Sequence, residues 1–240
     1  MNWWRFVMKY SVNEEELNSI LSSLLFELKT QKEIWKGINV YLAKSFNLVK
    51  LLNPANEENK FSDIIRMLLD PDGEHAQGDI FLKLFYQAVL KLSDNINLVS
   101  SLNYISLKKA KIIREKVTKE KEEEKFKRLD LLIEPNTASQ YDLPAIGLEN
   151  KIWAPETPRQ LEEYFDYLKN KYENFILIFL TPDGREAETS TKEMRKSSKY
   201  FECSYRDLLE PWLKECLKEC KAEKVRFFIQ DFIDWIESFY

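Results

Sequence analysis

Arg128-Leu129-Asp130-Leu131-Leu132-Ile133 and Ala145-Ile146-Gly147-Leu148-Glu149-Asn150-Lys151 decide how this chain is read. Each is an aliphatic run of strand length carrying charge that an ordinary buried strand lacks. Asp130 sits inside the first run. Glu149 and Lys151 close the second, two residues apart, and strand residues i and i+2 project to the same face. A carboxylate and an ammonium among buried aliphatics carry a desolvation cost that surface charges escape. A divalent cation between the two acids, with the lysine facing a water or a phosphate, would offset that cost.

The 19 residues from Asp130 to Glu149 suit adjacent strands joined by a loop, here with Pro135, Asn136 and Pro144. Neighbouring strands lie about 4.8 Å apart, so the two acids can share one cation if the register aligns them. Mg²⁺, with Mn²⁺ as the substitute, takes oxygen ligands and keeps waters, and the backbone carbonyl of Asn150 is a further ligand candidate. Lys151 is placed to orient or deprotonate a water, or to neutralise charge building on a pentavalent phosphate. The plainer reading pairs Glu149 with Lys151 at a strand end and lets Asp130 cap a turn.

Working outward, Ile112, Ile113 and Val117 mark a strand before these two, and Lys119 to Lys125 a charged loop. Pro155 to Tyr172 predicts a helix, with Leu161, Tyr164, Phe165 and Leu168 on one face. Asn174 to Thr181 is almost wholly apolar, as for a strand covered on both faces. A loop over 182–199, a strand at Tyr200–Ser204 and helices at 206–220 and 224–240 close the chain. Upstream, residues 11–52 read as two helices. The first has a capping box of Ser11 and Glu14 and a stripe of Leu17, Ile20, Leu21, Leu24, Leu25 and Leu28. The second spans Glu33 to Leu52. Further helices are predicted at 57–69 and 79–92. Strand, strand, strand, helix, strand behind a leading helix makes an α/β layer. Residues 1–53 are read as an N-terminal helical extension and 54–240 as the main domain.

The chain of 240 residues has 44% hydrophobic and 13% aromatic residues, ample for a core. Its net charge of −4 means that nucleic-acid contact must come from a local patch. Such a patch is offered by Lys108, Lys109, Lys111, Arg114, Lys116 and Lys119, although Glu120 and Glu122 to Glu124 follow at once. Cys203, Cys216 and Cys220 read as reduced apolar-face cysteines. No apolar run reaches transmembrane length, no secretory segment is seen, and the expected location is the cytoplasm. No phosphate-cradling glycine loop is present, which excludes P-loop nucleotide hydrolysis.

Three more sites complete the candidates. Gln160 and Tyr164 share a helix face at i, i+4. Gln160 is a candidate for a phosphate or a metal-bound water, with a solvated Gln and a core Tyr as the plainer reading. Glu58 is a candidate third carboxylate, or an acid favoured at a helix N-terminus. His75, the only histidine, lies in the turn Asp72-Gly73-Glu74-His75-Ala76-Gln77-Gly78 and reads first as a hydrogen-bonded turn residue.

Arg128-Leu129-Asp130, Glu149-Asn150-Lys151 and Gln160-Leu161-x-x-Tyr164 together resemble the PD-(D/E)XK nuclease superfamily, more narrowly a bacterial and phage branch with a Glu-Asn-Lys core. Glu58, Ser62, Leu68-Leu69-Asp70-Pro71 and the His75 turn are similar to that branch. So are Phe179-Leu180-Thr181-Pro182-Asp183-Gly184 and Ser204-Tyr205-Arg206-Asp207-Leu208-Leu209. The resemblance covers roughly residues 54 to 240. It departs at Lys127 and at Ala76, where glycine is usual. It implies a restriction-endonuclease-like αβββαβ core, a mixed sheet flanked by helices, with helical additions at both ends. It implies Mg²⁺-dependent phosphodiester hydrolysis, with metal on Asp130, Glu149, Glu58 and Asn150. Lys151 would assist the attacking water, and Gln160, Tyr164, Arg128 and His75 would face substrate. DNA is the expected substrate ahead of RNA, with no membrane partner, and defence against mobile elements is the expected setting. A homodimer is compatible, since a double-strand cut usually needs two centres. The other reading is a nuclease fold that binds protein or nucleic acid without turnover. The intact Asp130, Glu149 and Lys151 set favours the enzyme.

Overall fold

The computed structural model describes residues 14–42, 47–52, 58–93, 96–117, 128–136 and 142–240. The Ser11 end of the capping box, the charged loop at 119–125 and Lys127 lie outside them.

The chain divides into two units, 1–46 and 47–240. The described part of the first is one helix, α1 (Glu14–Leu42). It runs unbroken through Thr30-Gln31-Lys32, where the sequence suggested two helices. Those residues are adequate helix formers, and polarity alone does not interrupt the hydrogen-bond ladder.

In the second unit, α2 (Leu48–Leu52) leads to α3 (Glu58–Leu69), α4 (Ile80–Leu92), α5 (Ile96–Ser101) and a 3₁₀ turn at Leu102–Tyr104. Then come β1 (Lys111–Val117), β2 (Arg128–Glu134), β3 (Ala145–Asn150), α6 (Gln160–Lys171), β4 (Phe175–Thr181), α7 (Lys192–Lys196), β5 (Tyr200–Ser204), α8 (Leu209–Glu219) and α9 (Glu223–Glu237). α2, expected in the N-terminal extension, packs on α9. Asn47 Nδ2 donates to the Asp231 carbonyl and the Leu48 N–H to the Asp231 carboxylate, both at 2.8 Å.

The sheet order is β1-β2-β3-β4-β5. β1, β2 and β3 pair antiparallel, while β3–β4 and β4–β5 are parallel. This is the mixed α/β sheet expected. α6 joins the parallel pair β3 and β4, a connection that must cross over one face of the sheet. β3 and β4 are buried along their length, which explains their continuous apolar sequence. Ile146, Leu148, Ile176, Ile178 and Leu180 face α3, α4, α8 and α9. Ala145, Leu177 and Phe179 face the α6 and α7 side. Gly147 lets α6 come close: a Cβ there would stand 2.7 Å from Leu168 Cδ1 and 3.0 Å from Leu129 Cδ2.

α6 starts at Gln160, five residues later than predicted. Pro158 disfavours helical backbone at Thr157, and the stretch before the helix is held otherwise. Glu156 Oε2 accepts the Thr189 N–H at 2.9 Å and its hydroxyl at 2.6 Å, while Oε1 accepts the Glu188 N–H at 2.9 Å. Arg185 adds an ion pair at 3.3 Å. The 182–199 segment, read as loop, contains α7 and is pinned by this carboxylate. Burial pulls the Glu156 carboxyl upward, but Thr189, Glu188 and Arg185 outweigh it and hold it below the ordinary 4.5. A depressed carboxyl stabilises the fold above its unfolded value and loses that contribution as pH falls through the folded value. Acidification below about 4.5 is therefore expected to loosen residues 185–190. Glu156→Gln should flatten the acid limb of a stability-versus-pH curve, and an unchanged limb would refute the assignment.

His75 ties its own turn. Its Nε2 donates to the Asp70 carbonyl at 2.9 Å and Nδ1 accepts the Gln77 N–H at 3.0 Å, which fixes a neutral tautomer. Burial lowers its pKa in the same sense. The next residue, Ala76, has φ 57°. This is where the resembled branch has glycine, and an L-residue in the left-handed region costs about 1–2 kcal/mol. Ala76→Gly should therefore stabilise the protein by up to about 1 kcal/mol once glycine's own entropy cost is deducted. Urea unfolding with an unchanged slope measures this, and a lower midpoint would contradict it.

Candidate active site

The β2–β3 register runs Ile133↔Ile146, Leu132↔Gly147, Leu131↔Leu148 and then stops. One further step would set Asp130 opposite Glu149. Instead Asp130 Oδ2 accepts the Asn150 N–H at 2.9 Å, taking the place of a ladder carbonyl. The strands part at this point, and the charged residues collect there.

Glu149 is 1% exposed. Its Oε1 accepts Lys151 Nζ at 2.9 Å and Gln160 Nε2 at 2.7 Å. Its Oε2 is buried and accepts no hydrogen bond. Burial, reinforced by the Asp130 charge, pushes the Glu149 carboxyl up to about 8. Burial likewise raises Asp130, to about 6. Burial would lower the Lys151 ammonium, but Glu149, Asp130 and Glu58 outweigh it and keep it charged. The shared face of Glu149 and Lys151, predicted from strand period, is thus realised.

Gln160 and Tyr164 also share a face and meet this cluster. Gln160 Nε2 donates to Tyr164 Oη at 2.9 Å, its Oε1 accepts the Thr157 N–H at 3.2 Å, and Tyr164 donates to the Arg128 carbonyl at 2.7 Å. Both side chains position Glu149 and β2 and have few polar atoms left for substrate. The Arg128 guanidinium is exposed and paired with Glu115 at 3.2 Å.

Glu58 sits at the start of α3. Its Oε1 accepts three successive amides, Ile152 N at 2.7 Å, Trp153 N at 3.0 Å and Ala154 N at 2.9 Å, and Oε2 lies 3.8 Å from Lys151 Nζ. It anchors the segment that follows Lys151. Among the described residues no group of three His, Cys, Asp or Glu side chains that could hold a metal is found, and Glu58 keeps its Oε2 beside Lys151. His75 is not brought into this hydrogen-bonded cluster either. Its ring packs on Phe81 at 4.8 Å, and its nitrogens are used within the turn.

Sequence reasoning missed two residues here. Arg114, placed in a basic patch, turns inward. It donates to the Asp130 and Asn59 carbonyls at 2.9 and 3.1 Å and pairs with Asp63 at 2.7 Å, locking α3 to β2. Tyr205 donates to Asn150 Oδ1 at 2.7 Å and stacks on Phe61 with centroids 4.9 Å apart. The Ser204-Tyr205-Arg206 motif was noticed, but no local pattern links it to Asn150, 55 positions away.

The donor set fits a hard divalent cation. Mg²⁺ uses one or two protein carboxylates and fills its sphere with waters and substrate oxygens. Asp130 and Glu149 provide two carboxylates, and the unsatisfied Glu149 Oε2 is the acceptor a cation would occupy. A strand residue's N–H and C=O point the same way, so the Asn150 carbonyl also faces the Asp130 side.

A mixed sheet with helices on both faces, carrying Asp130, Glu149 and Lys151 where β2 and β3 part, defines a restriction-endonuclease-like protein. A model of the PD-(D/E)XK nuclease superfamily matches residues 46–234, and the chain belongs to that superfamily. Comparison with curated proteins and with solved structures finds no match.

Asp130→Asn should relieve the Asp130–Glu149 repulsion while its amide oxygen still accepts the Asn150 N–H. The metal-free melting temperature is expected to rise by roughly 2–4 °C, as for about 1 kcal/mol in a protein of this size. The same variant should lose the upward shift that Mg²⁺ or Mn²⁺ gives the wild type. A wild type whose melting point ignores both ions would refute the cation site.

Proposed function

We propose that the chain is a divalent-metal-dependent nuclease that hydrolyses phosphodiester bonds, in DNA ahead of RNA, at Asp130, Glu149 and Lys151. Membership of a nuclease superfamily supports the general chemistry. The single observation that carries the site is the buried, unsatisfied Glu149 Oε2, whose carboxylate partner oxygen is held by Lys151. The narrower reading, the branch with a Glu-Asn-Lys core, is supported by convergence. Glu58, Gln160 and Tyr205, from three separate motifs, reach the 149–154 segment.

In this reading Asp130, Glu149 and the Asn150 carbonyl hold the cation. When bound, it would polarise the scissile phosphate and lower the pKa of a water. Lys151 stays charged and is held on Glu149, so it contributes positive charge beside the phosphate and an N–H donor for the attacking water or the developing pentavalent oxygens. Gln160 fixes the Glu149 rotamer, and Asn150 is fixed through Tyr205. Glu58 holds the backbone just beyond Lys151 and limits its drift from the reacting atoms.

The test is cleavage of linear, circular and single-stranded DNA and of RNA in Mg²⁺ and Mn²⁺, with Asp130→Ala and Lys151→Ala alongside. Metal-dependent cleavage that each substitution lowers by at least about 10²-fold is expected. A folded, metal-loaded protein that cuts none of these would instead be a binding module on a nuclease fold.

A further inference from the structure

Within its own unit, α1 carries an apolar stripe from Leu17 to Leu28. Leu17 is 47% exposed, Leu21 48%, Leu24 51% and Leu28 62%. A helix of 29 residues spans roughly 43 Å at about 1.5 Å per residue. Isolated helices are marginal in water, and a continuous exposed apolar stripe marks a surface meant to be covered.

The spacing of the stripe is that of a heptad. With Leu21 at position a, Leu17 and Leu24 fall at d, Leu28 at a, Gln31 at d and Trp35 at a. Steps of four and three alternate throughout, the seam of a left-handed coiled coil. The flanks say what faces it. Position g holds Ile20, Glu27 and Ile34, and position e holds Asn18, Leu25 and Lys32. In a parallel pair a g residue meets the e residue five positions on in the other helix. Ile20 then meets Leu25 of the second copy, apolar on apolar, and Glu27 meets Lys32, acid on base. An antiparallel pair matches g with g and e with e, which gives Glu27 no base and Lys32 no acid. Gln31, polar inside the seam, favours one register over slipped ones.

We propose that α1 pairs with α1 of a second copy as a parallel two-stranded coiled coil. Both chains leave such a pair at the same end, so each assembly carries two copies of the 47–240 unit. The pairing does not depend on the catalytic reading.

Light scattering of the full chain should give a dimer. Leu21→Asp with Leu24→Asp should give a monomer whose 47–240 unit keeps its thermal unfolding, because these side chains are half-exposed in the single chain. Lys32→Glu should weaken the dimer about tenfold, since two attractive pairs become repulsive. Adding Glu27→Lys should restore it. Leu24→Cys should cross-link under mild oxidation, because only a parallel, in-register seam brings the two d positions together. A monomeric wild type, a dimer indifferent to the aspartates, a trimer or larger assembly, or a Leu24→Cys dimer that fails to cross-link would each overturn the proposal.

Discussion

The carboxylate of Glu149, 1% exposed inside a strand whose neighbours are all buried, is the constraint from which the rest of the site follows. A lone buried charge in this layer would cost several kcal/mol or be neutralised by protonation. The fold offsets the cost on one oxygen only, through Lys151 and Gln160, and leaves the other without a partner. It also puts a second acid, Asp130, nearby, which raises the cost further. A structure selected for stability alone would not keep this arrangement, because replacing paired charges by well-packed apolar groups is often stabilising. Perturbed carboxyls held by packing in this way are what sites for cations and catalysis need.

Two other glutamates do the opposite work. Glu58, through one oxygen, and Glu156, through both, accept backbone amides and act as anchors around the 151–159 connection. Glu58 holds its beginning through three amides, and from its middle Glu156 fastens the 185–189 segment. A hydrogen bond to a charged acceptor contributes a net of about 1.5–3 kcal/mol, so a few acids can order a stretch with no regular secondary structure. The consequence reaches Lys151. Its backbone N–H is bonded to Leu180 and the next three amides to Glu58, so the lysine stem leaves a fixed point.

What could be read from the residues was what is local. Period two placed Glu149 with Lys151, and i, i+4 placed Gln160 with Tyr164. The almost wholly apolar Asn174–Thr181 announced a strand covered on both faces. The ends of elements were less legible where a side chain competes with the backbone. Pro155 looked like the first residue of a helix, but Pro158 and the Glu156 anchor delay it to Gln160. Thr30-Gln31-Lys32 looked like a break, but Gln31 is a polar residue inside a continuous heptad. Long-range contacts gave no signal at all. Glu58 to Ile152 spans 94 positions and Arg114 to Asn59 spans 55. An acid at a helix start or a base in a lysine-rich strand is ordinary when seen alone. Ala76 shows the reverse case: a missing glycine in a resembled motif was visible in sequence, and its meaning became clear only with a φ of 57°.

An acidic chain that acts on a polyanion must draw its substrate by local charge. Arg114, the most central base of the apparent patch, is spent on Asp63 and the Asn59 and Asp130 carbonyls, and Arg128 on Glu115. Lys108, Lys109 and Lys111 remain exposed on the approach to β1. Under the proposed chemistry the cation and Lys151 would supply binding energy at the reacting phosphate itself. In the proposed α1 pair, two tethered domains on one nucleic acid would turn the second contact into an intramolecular one, and avidity would then add affinity that an acidic chain lacks.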